Sequence, residues 1–207
     1  FALKSFAVGT AYSKTETFQT AVFTILILGE AITGLTFLAI LISFAGVCFL
    51  SLAKLTLDLR DFLYSWTNKG ALMGLANGAF LGISAVSYRG AALSLGGDNA
   101  LLAASATLLV ALAIQTAVMT AYLYRYEKGE LSKVWHNRGK GALVGLASML
   151  GSVGWFTAMT LQNAAYVRAV GQVELIFTFL TSVLIFNEKI SFYEILGTFL
   201  IVGGITV

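Results

Sequence analysis

Two stretches of the chain decide the fold: ILILGEAITGLTFLAILISFAGV at residues 25–47 and VLIFNEKISFYEILGTFLIVGGI at residues 183–205. In each stretch an apolar run ends at a glutamate, a hydroxyl residue opens a second apolar run, and a glycine lies late in that run. Shifting the chain by 158 positions aligns residues 1–47 with residues 159–205 without a gap and matches eleven residues, where about four would match by chance. The sequence therefore indicates an internal repeat.

The composition places these apolar runs in a membrane. Apolar residues make up 58% and charged residues 11% of the 207 positions, against about 45–50% and ~25% in soluble proteins. The mean hydropathy of +0.86 extends along nearly the whole chain, which excludes a soluble domain, a signal peptide and a single anchor. One cysteine excludes a disulfide framework and a Cys-rich metal site, and the net charge of +3 is too slight to indicate a nucleic acid partner.

Seven apolar runs are long enough to cross a bilayer, whose core of ~30 Å needs about 20 helical residues. The runs are solid rather than alternating, which favours an all-α polytopic transmembrane helix bundle over a β-barrel. Ser191 and Glu194 form a capping box at the start of the last helix, and no proline is available to kink any helix. We number the predicted helices one to seven: residues 7–28, 34–53, 70–88, 100–124, 141–162, 165–186 and 191–207.

The repeat relates helix one to helix six and helix two to helix seven. Counterparts five helices apart cross the membrane in opposite directions, so we expect an inverted repeat, the arrangement of secondary transporters. Residues 1–53 are then the end of a first unit, 54–69 a linker, and 70–207 a second unit. On this pattern roughly two and a half helices precede Phe1, and the whole protein has an inverted five-plus-five arrangement.

The quoted stretches resemble the drug/metabolite transporter superfamily in its ten-helix EamA branch, and the likeness covers essentially the entire chain. Members commonly carry a Glu-Pro pair fourteen residues before the helix-ending glutamate, whereas Glu16-Thr17 and Glu174-Leu175 keep the acid and lose the proline. The resemblance implies a multi-pass protein of the bacterial inner membrane that needs no cofactor and moves a small molecule across the lipid bilayer.

Glu16 and Glu174 are the strongest candidates for binding that solute. Each lies fourteen residues, or ~21 Å, before a helix-ending glutamate, so both are expected inside the hydrocarbon, where an acid is costly and usually functional. Thr20 and Thr178 lie one turn further along the same faces. A polar stripe that includes Thr17 keeps to one face of helix one.

Two interpretations of these acids remain open. They could bind a cationic or zwitterionic group and exchange a proton with the solute, or they could be buried structural partners that fix helix packing. We expect Lys14 to neutralise Glu16, which would leave Glu174 as the more active acid. The helix-ending glutamates Glu30 and Glu188 are expected to be structural, because they can reach solvent or the free amides of the next helix.

Two arginines form a second group of candidates. The loops before helices one, three, five and seven lie on one side of the membrane and hold the other lysines and arginines. Arg89 and Arg168 are the only cations on the opposite side. They could bind an anionic group through two hydrogen bonds, or extend to the membrane interface. Gln172, Asn163 and Trp155 lie near Arg168 or towards the end of helix five, which indicates a polar cavity mouth with an aromatic wall.

Helix three carries a glycine at every fourth position from 70 to 82, which predicts the close approach of another helix, either fixed or sliding. Gly141 and Gly145 repeat this spacing in helix five. Residues 125–140 hold five cations and the only histidine, His136. We expect that segment to be a solvated cytoplasmic loop near anionic lipid headgroups.

The sequence favours a carrier over an enzyme. A metalloprotease needs a pair of histidines, and a serine nucleophile at Ser152 would have no histidine base in any other helix. The preferred function is alternating-access transport of a small polar or amphipathic solute, with possible proton coupling. The alternatives are an anion antiporter that resembles the sugar-phosphate and nucleotide-sugar branch, and a membrane scaffold that does not transport.

Overall fold

The computed structural model describes residue 9 and residues 12–55, 68–185 and 191–206, and those ranges hold helices and no strand. Three of the described helices are long and apolar enough to cross a membrane: Lys69–Ser94, Ala100–Tyr126 and Arg138–Leu161. Shorter apolar helices cover Glu16–Leu28, Gly34–Phe49 and Phe192–Gly204. The fold is the predicted all-α transmembrane bundle.

All seven predicted helices are represented in the described ranges, although residues 7, 8, 10 and 11 of predicted helix one and the last residues predicted for helices six and seven lie outside them. Helix two covers Gly34–Leu55, helix three Lys69–Ser94, helix four Ala100–Tyr126, helix five Arg138–Leu161 and helix seven Phe192–Thr206. The predicted capping box is confirmed: the Ser191 N–H donates to Glu194 Oε2 at 2.8 Å, and the Glu194 N–H donates to Ser191 Oγ at 3.2 Å.

The chain folds as two compact units, Phe1–Val86 with Asn163–Val207, and Ser87–Gln162. The first unit holds helices one, two, six and seven and most of helix three. The second unit holds the end of helix three, helices four and five, and a short helix at Glu130–His136.

Helices two and seven form the most extensive helix pair of the first unit. A Cβ atom at Gly46 would lie 2.7 Å from the carbonyl oxygen of Gly197, and a Cβ atom at Gly204 would lie 2.8 Å from that of Ala39. The 158-residue shift maps Gly46 onto Gly204 and Ala39 onto Gly197, so the same contact is made in both directions. Residue numbers run in opposite directions along the contact, so the two helices are antiparallel.

Helix two also forms the centre of an apolar cluster in this unit. Ile40 is fully buried against Ala21 of helix one and against Ala165 and Ala169 of helix six. The three alanines let the neighbouring backbones come close to one branched side chain, as in other tightly packed membrane interfaces.

The glycine face of helix three packs against helix one, which confirms the predicted close approach. A Cβ atom at Gly78 would lie 3.0 Å from the carbonyl oxygen of Ser13 and 3.3 Å from the amide nitrogen of Glu16. One at Gly82 would lie 3.0 Å from Thr20 Oγ1. Gly78 lies against Ser13 and Gly82 lies against Thr20, so residue numbers increase in the same direction in both helices. Helices one and three therefore run parallel.

The corresponding prediction for helix five is wrong. A Cβ atom at Gly141 or Gly145 would meet nothing within 4 Å in the described part of the chain. A glycine permits a close approach but does not supply the second helix. Only 6% of the apolar stretch of helix five is buried within the described protein. The glycine face of this helix is therefore free to face lipid.

We expect Gly78→Leu to destabilise the protein, because its Cβ atom would press on backbone atoms of helix one that cannot move aside. Overpacking of this kind costs about 1–3 kcal/mol. Thermal unfolding of the detergent-solubilised protein measures the loss. Gly145→Leu is the matched control, since it adds the same side chain where no neighbour lies within 4 Å. Equal melting temperatures for the two variants would contradict the packing described above.

Candidate functional site

Helices one and six are each interrupted by one tight turn. Helix one continues from its turn at Thr15 as an α-helix over Glu16–Phe23 and then as a π-helix over Thr24–Leu28. Helix six consists of Ala164–Gly171 and Val173–Leu184, with Gln172 between them.

The two interruptions have nearly the same backbone geometry. Thr15 has φ −65° and ψ −7°, and Gln172 has φ −61° and ψ −11°. Each N–H donates to the carbonyl three residues back, on Tyr12 and Ala169 respectively, at 3.1 Å, which is the 3₁₀ pattern. Under the 158-residue shift the two turns fall within one residue of each other. Both helices are therefore interrupted without a proline.

The turn in helix one is supported by local side chains. The Thr15 hydroxyl donates to the Tyr12 carbonyl at 2.7 Å and accepts from Gln19 Nε2 at 2.7 Å. A hydroxyl that bonds to the backbone in this way competes with the regular helical ladder.

The acids predicted to lie in the membrane form ion pairs across the two interrupted helices. Lys14 Nζ on helix one lies 2.7 Å from Glu174 Oε1 on helix six, with side chains 22% and 60% exposed. Arg168 Nη1 on helix six lies 3.5 Å from Glu16 Oε1 on helix one, with side chains 21% and 9% exposed. Each helix thus supplies the cation for the acid of the other.

The prediction that Lys14 neutralises Glu16 is wrong. Residues two apart do not face each other on a helix. Arg168 takes that role instead. Both acids carry a partner, but Glu16 is buried whereas Glu174 is open.

Gln172 lies at the turn of helix six and is 3% exposed. Its Nε2 donates to Thr17 Oγ1 on helix one at 2.9 Å. Its Oε1 is buried without a hydrogen-bond partner among the described residues. The 158-residue shift maps Lys14 onto Gln172. Both residues contact the opposite helix, Lys14 through its charged amine and Gln172 through its side-chain amide.

The two predicted threonines make equivalent hydrogen bonds. Thr20 Oγ1 donates to the Glu16 carbonyl at 2.6 Å, and Thr178 Oγ1 donates to the Glu174 carbonyl at 2.9 Å. Thr20 is buried and Thr178 is exposed. The two threonines therefore differ in exposure in the same way as Glu16 and Glu174, one turn further along each helix.

Asn163 caps the first part of helix six. Its Oδ1 accepts from the Ala165 N–H at 2.9 Å, and its Nδ2 donates to Glu30 Oε2 at 3.0 Å. Glu30 thus holds the residue that begins helix six, which agrees with the structural role expected for it. Its counterpart Glu188 lies outside the described residues.

Arg89 and Trp155 belong to the second unit, whereas the other candidate residues belong to the first. Arg89 Nη1 donates to three carbonyl oxygens at the end of helix five, those of Met159 at 2.6 Å, Thr160 at 3.0 Å and Gln162 at 2.7 Å. A helix leaves its last carbonyls without partners, and a cation there also opposes the helix dipole favourably. Trp155 is 38% exposed.

The described residues contain no group of three metal-ligating side chains. What the sequence reasoning missed is the pairing across helices one and six. The available signal was the alignment itself, which places a polar residue two positions before each membrane acid, Lys14 in one copy and Gln172 in the other.

An all-α membrane bundle with two interrupted helices and charged pairs between them is an arrangement found in many secondary transporters. Residues 68–207 match the model of the EamA-like transporter family, and the chain therefore belongs to that family. No curated protein and no solved structure matches it. The chain is an integral, multi-pass membrane transporter of the drug/metabolite type.

We expect Glu16→Gln to destabilise the protein far more than Glu174→Gln. The first change leaves Arg168, whose side chain is 21% exposed, without its carboxylate, which costs up to about 3 kcal/mol. The second opens a more exposed pair worth at most about 1 kcal/mol. Thermal unfolding in detergent measures both, and a Glu16→Gln/Arg168→Met double variant should recover part of the loss. Equal losses for the two single variants would show that burial does not distinguish the acids.

We also expect Arg89→Lys to lose stability although it keeps the charge, because the lysine side chain is one bond shorter and its ammonium group would not reach all three carbonyls. The expected loss is about 1–3 kcal/mol. Arg138→Lys is the control, since Arg138 is exposed and stacks on Trp135. An Arg89→Lys variant with wild-type unfolding would contradict a stabilising role for these three hydrogen bonds.

Proposed function

We propose that this chain moves a small polar or amphipathic solute with a cationic or zwitterionic group by alternating access, with Glu174 as the exchanging acid. The observation that carries the proposal is the reciprocal pairing of Lys14 with Glu174 and of Arg168 with Glu16 at two interrupted helices. Interrupted helices in corresponding positions of two repeats are the usual place of a solute site in secondary transporters.

The inverted repeat is part of this proposal. It is supported by the antiparallel, reciprocal contact of Gly46 and Gly204 and by the matching turns at Thr15 and Gln172. The proposed second unit, residues 70–207, agrees closely with the family match at 68–207. The first unit would then end within residues 1–53, with 54–69 as a linker.

Glu174 has the properties that an exchanging acid needs. Its side chain is 60% exposed and is held by one cation, Lys14. A carboxylate on an apolar helix is costly against lipid, so its open side faces water or polar groups. The ammonium group of a solute can replace Lys14 at the carboxylate, and protonation of Glu174 removes the charge that holds the solute. Proton coupling follows from that exchange.

Glu16 plays a different part in the proposal. Because it is buried and paired with Arg168, it holds helix one against helix six during the exchange at Glu174. Gln172 offers a buried acceptor two residues before Glu174, and the exposed hydroxyl of Thr178 lies one turn beyond it. Thr178 adds a polar group to the proposed surface around the acid, and Gln172 adds one beneath it.

The contacts of the arginines favour a cationic solute group over an anionic one. Arg168 is paired with Glu16 and Arg89 donates to three carbonyls. Arg89, Trp155 and Asn163 stay predictions as solute ligands. The bacterial inner membrane also stays a prediction as the location of the protein.

Glu174→Gln in the full-length protein should abolish proton-coupled uptake while expression stays intact, because an amide cannot release and rebind the proton. The measurement is uptake into liposomes of labelled amines, amino acids and organic anions, with and without a pH gradient. Glu130→Gln is the matched control, since Glu130 lies in the short helix of the second unit. Wild-type uptake by the Glu174 variant would remove this residue from the mechanism.

A further inference from the structure

The segment between helices four and five carries a charge that the described protein does not neutralise. Residues 125–140 hold five cations and two acids, and among the described ion pairs only Lys133 has a carboxylate partner there, Glu130 at 2.5 Å. Four cations have no carboxylate partner among the described residues: Arg125, Lys128, Arg138 and Lys140.

This segment contains a short helix where the sequence predicted a solvated loop. Glu130–His136 forms two turns with no buried residue. The segment is flanked by two helices long enough to cross a membrane, Ala100–Tyr126 and Arg138–Leu161. It is therefore attached at both ends to the membrane surface.

Exposed aromatic side chains place the same segment at the level of the lipid headgroups. Tyr124, Tyr126 and Trp135 are 78%, 69% and 70% exposed, and tyrosine and tryptophan concentrate at that level of the bilayer. Two of these rings are in contact with an arginine. The Arg125 guanidinium lies 5.5 Å from the Tyr126 ring centre, and the Arg138 guanidinium lies 4.9 Å from the Trp135 ring centre.

A groove of about 620 Å³ lies between the end of helix four and the short helix. The residues that line it include Arg125, Lys128 and Ser132 together with Leu123 and Leu131, and Glu127 is the one acid among them. Two cations and a hydroxyl beside apolar side chains suit a phosphate group attached to an acyl chain, since guanidinium and ammonium groups both bind phosphate oxygens.

We propose that this groove binds the headgroup of an anionic phospholipid, with Arg125 and Lys128 as the phosphate ligands and the exposed aromatic side chains in the headgroup layer. The excess of cations excludes a cationic ligand, and the aromatic and leucine surface favours a lipid over a free phosphate ion. This binding site is separate from the proposed solute site and does not depend on it.

The test uses the full chain in detergent, with Trp66→Phe and Trp155→Phe so that Trp135 is the only fluorescent donor. Energy transfer from Trp135 to dansyl-labelled phosphatidylglycerol is compared with transfer to dansyl-labelled phosphatidylcholine. We expect the anionic lipid to bind more tightly, and Arg125→Gln and Lys128→Gln each to weaken it by about fivefold. Lys69→Gln, which removes an exposed cation at the start of helix three, should leave binding unchanged.

Three outcomes would overturn the proposal. Equal binding of the two lipids would mean that the aromatic side chains merely partition into any bilayer. Displacement of the labelled lipid by inorganic phosphate at comparable concentration would mean a site for free phosphate. A loss in Lys69→Gln equal to that in Arg125→Gln would mean that only the total charge matters. Thermal stabilisation of the unmutated chain by phosphatidylglycerol, measured beside these, supports the proposal even where the tryptophan variant folds poorly.

Discussion

The structure depends on the cost of placing a carboxylate on an apolar helix. Such a group is stable in hydrocarbon only with a cation or other polar partner. Here each of the equivalent acids, Glu16 and Glu174, receives its cation from the other interrupted helix. The pairs therefore connect helices one and six, and neither helix can move alone without separating a charge from its partner. This constraint links the packing of the bundle to any exchange of a charged solute.

Close packing around the charged pairs keeps the other helices in place. Gly78 brings helix three against the turn of helix one, and Gly46 and Gly204 let helices two and seven cross with backbones in contact. Glycines do this work because lipid provides no hydrophobic force between helices, so association depends on close van der Waals contact. The equivalent acids nevertheless differ in exposure, and that asymmetry distinguishes an exchanging acid from a structural one in the proposed mechanism.

The helices could be predicted from sequence because membrane thickness fixes their length and apolar character. The capping box at Ser191 and the glycine face of helix three follow from equally local rules, and both are present in the structure. The same glycine rule found no counterpart in helix five, where a Cβ atom at Gly145 would meet nothing within 4 Å among the described residues. Spacing shows that a helix can be approached, whereas only the packing shows whether another helix is there.

The sequence by itself determined the class of protein, the long apolar helices and the positions of the two acids along the chain, since hydropathy and a 158-residue repeat are properties of the chain. The tertiary structure alone decided which cation serves which acid. Lys14 is two residues from Glu16 along the chain, yet it reaches Glu174 on helix six. Neighbours two apart diverge on a helix, and the partner of a buried charge is set by how the helices cross.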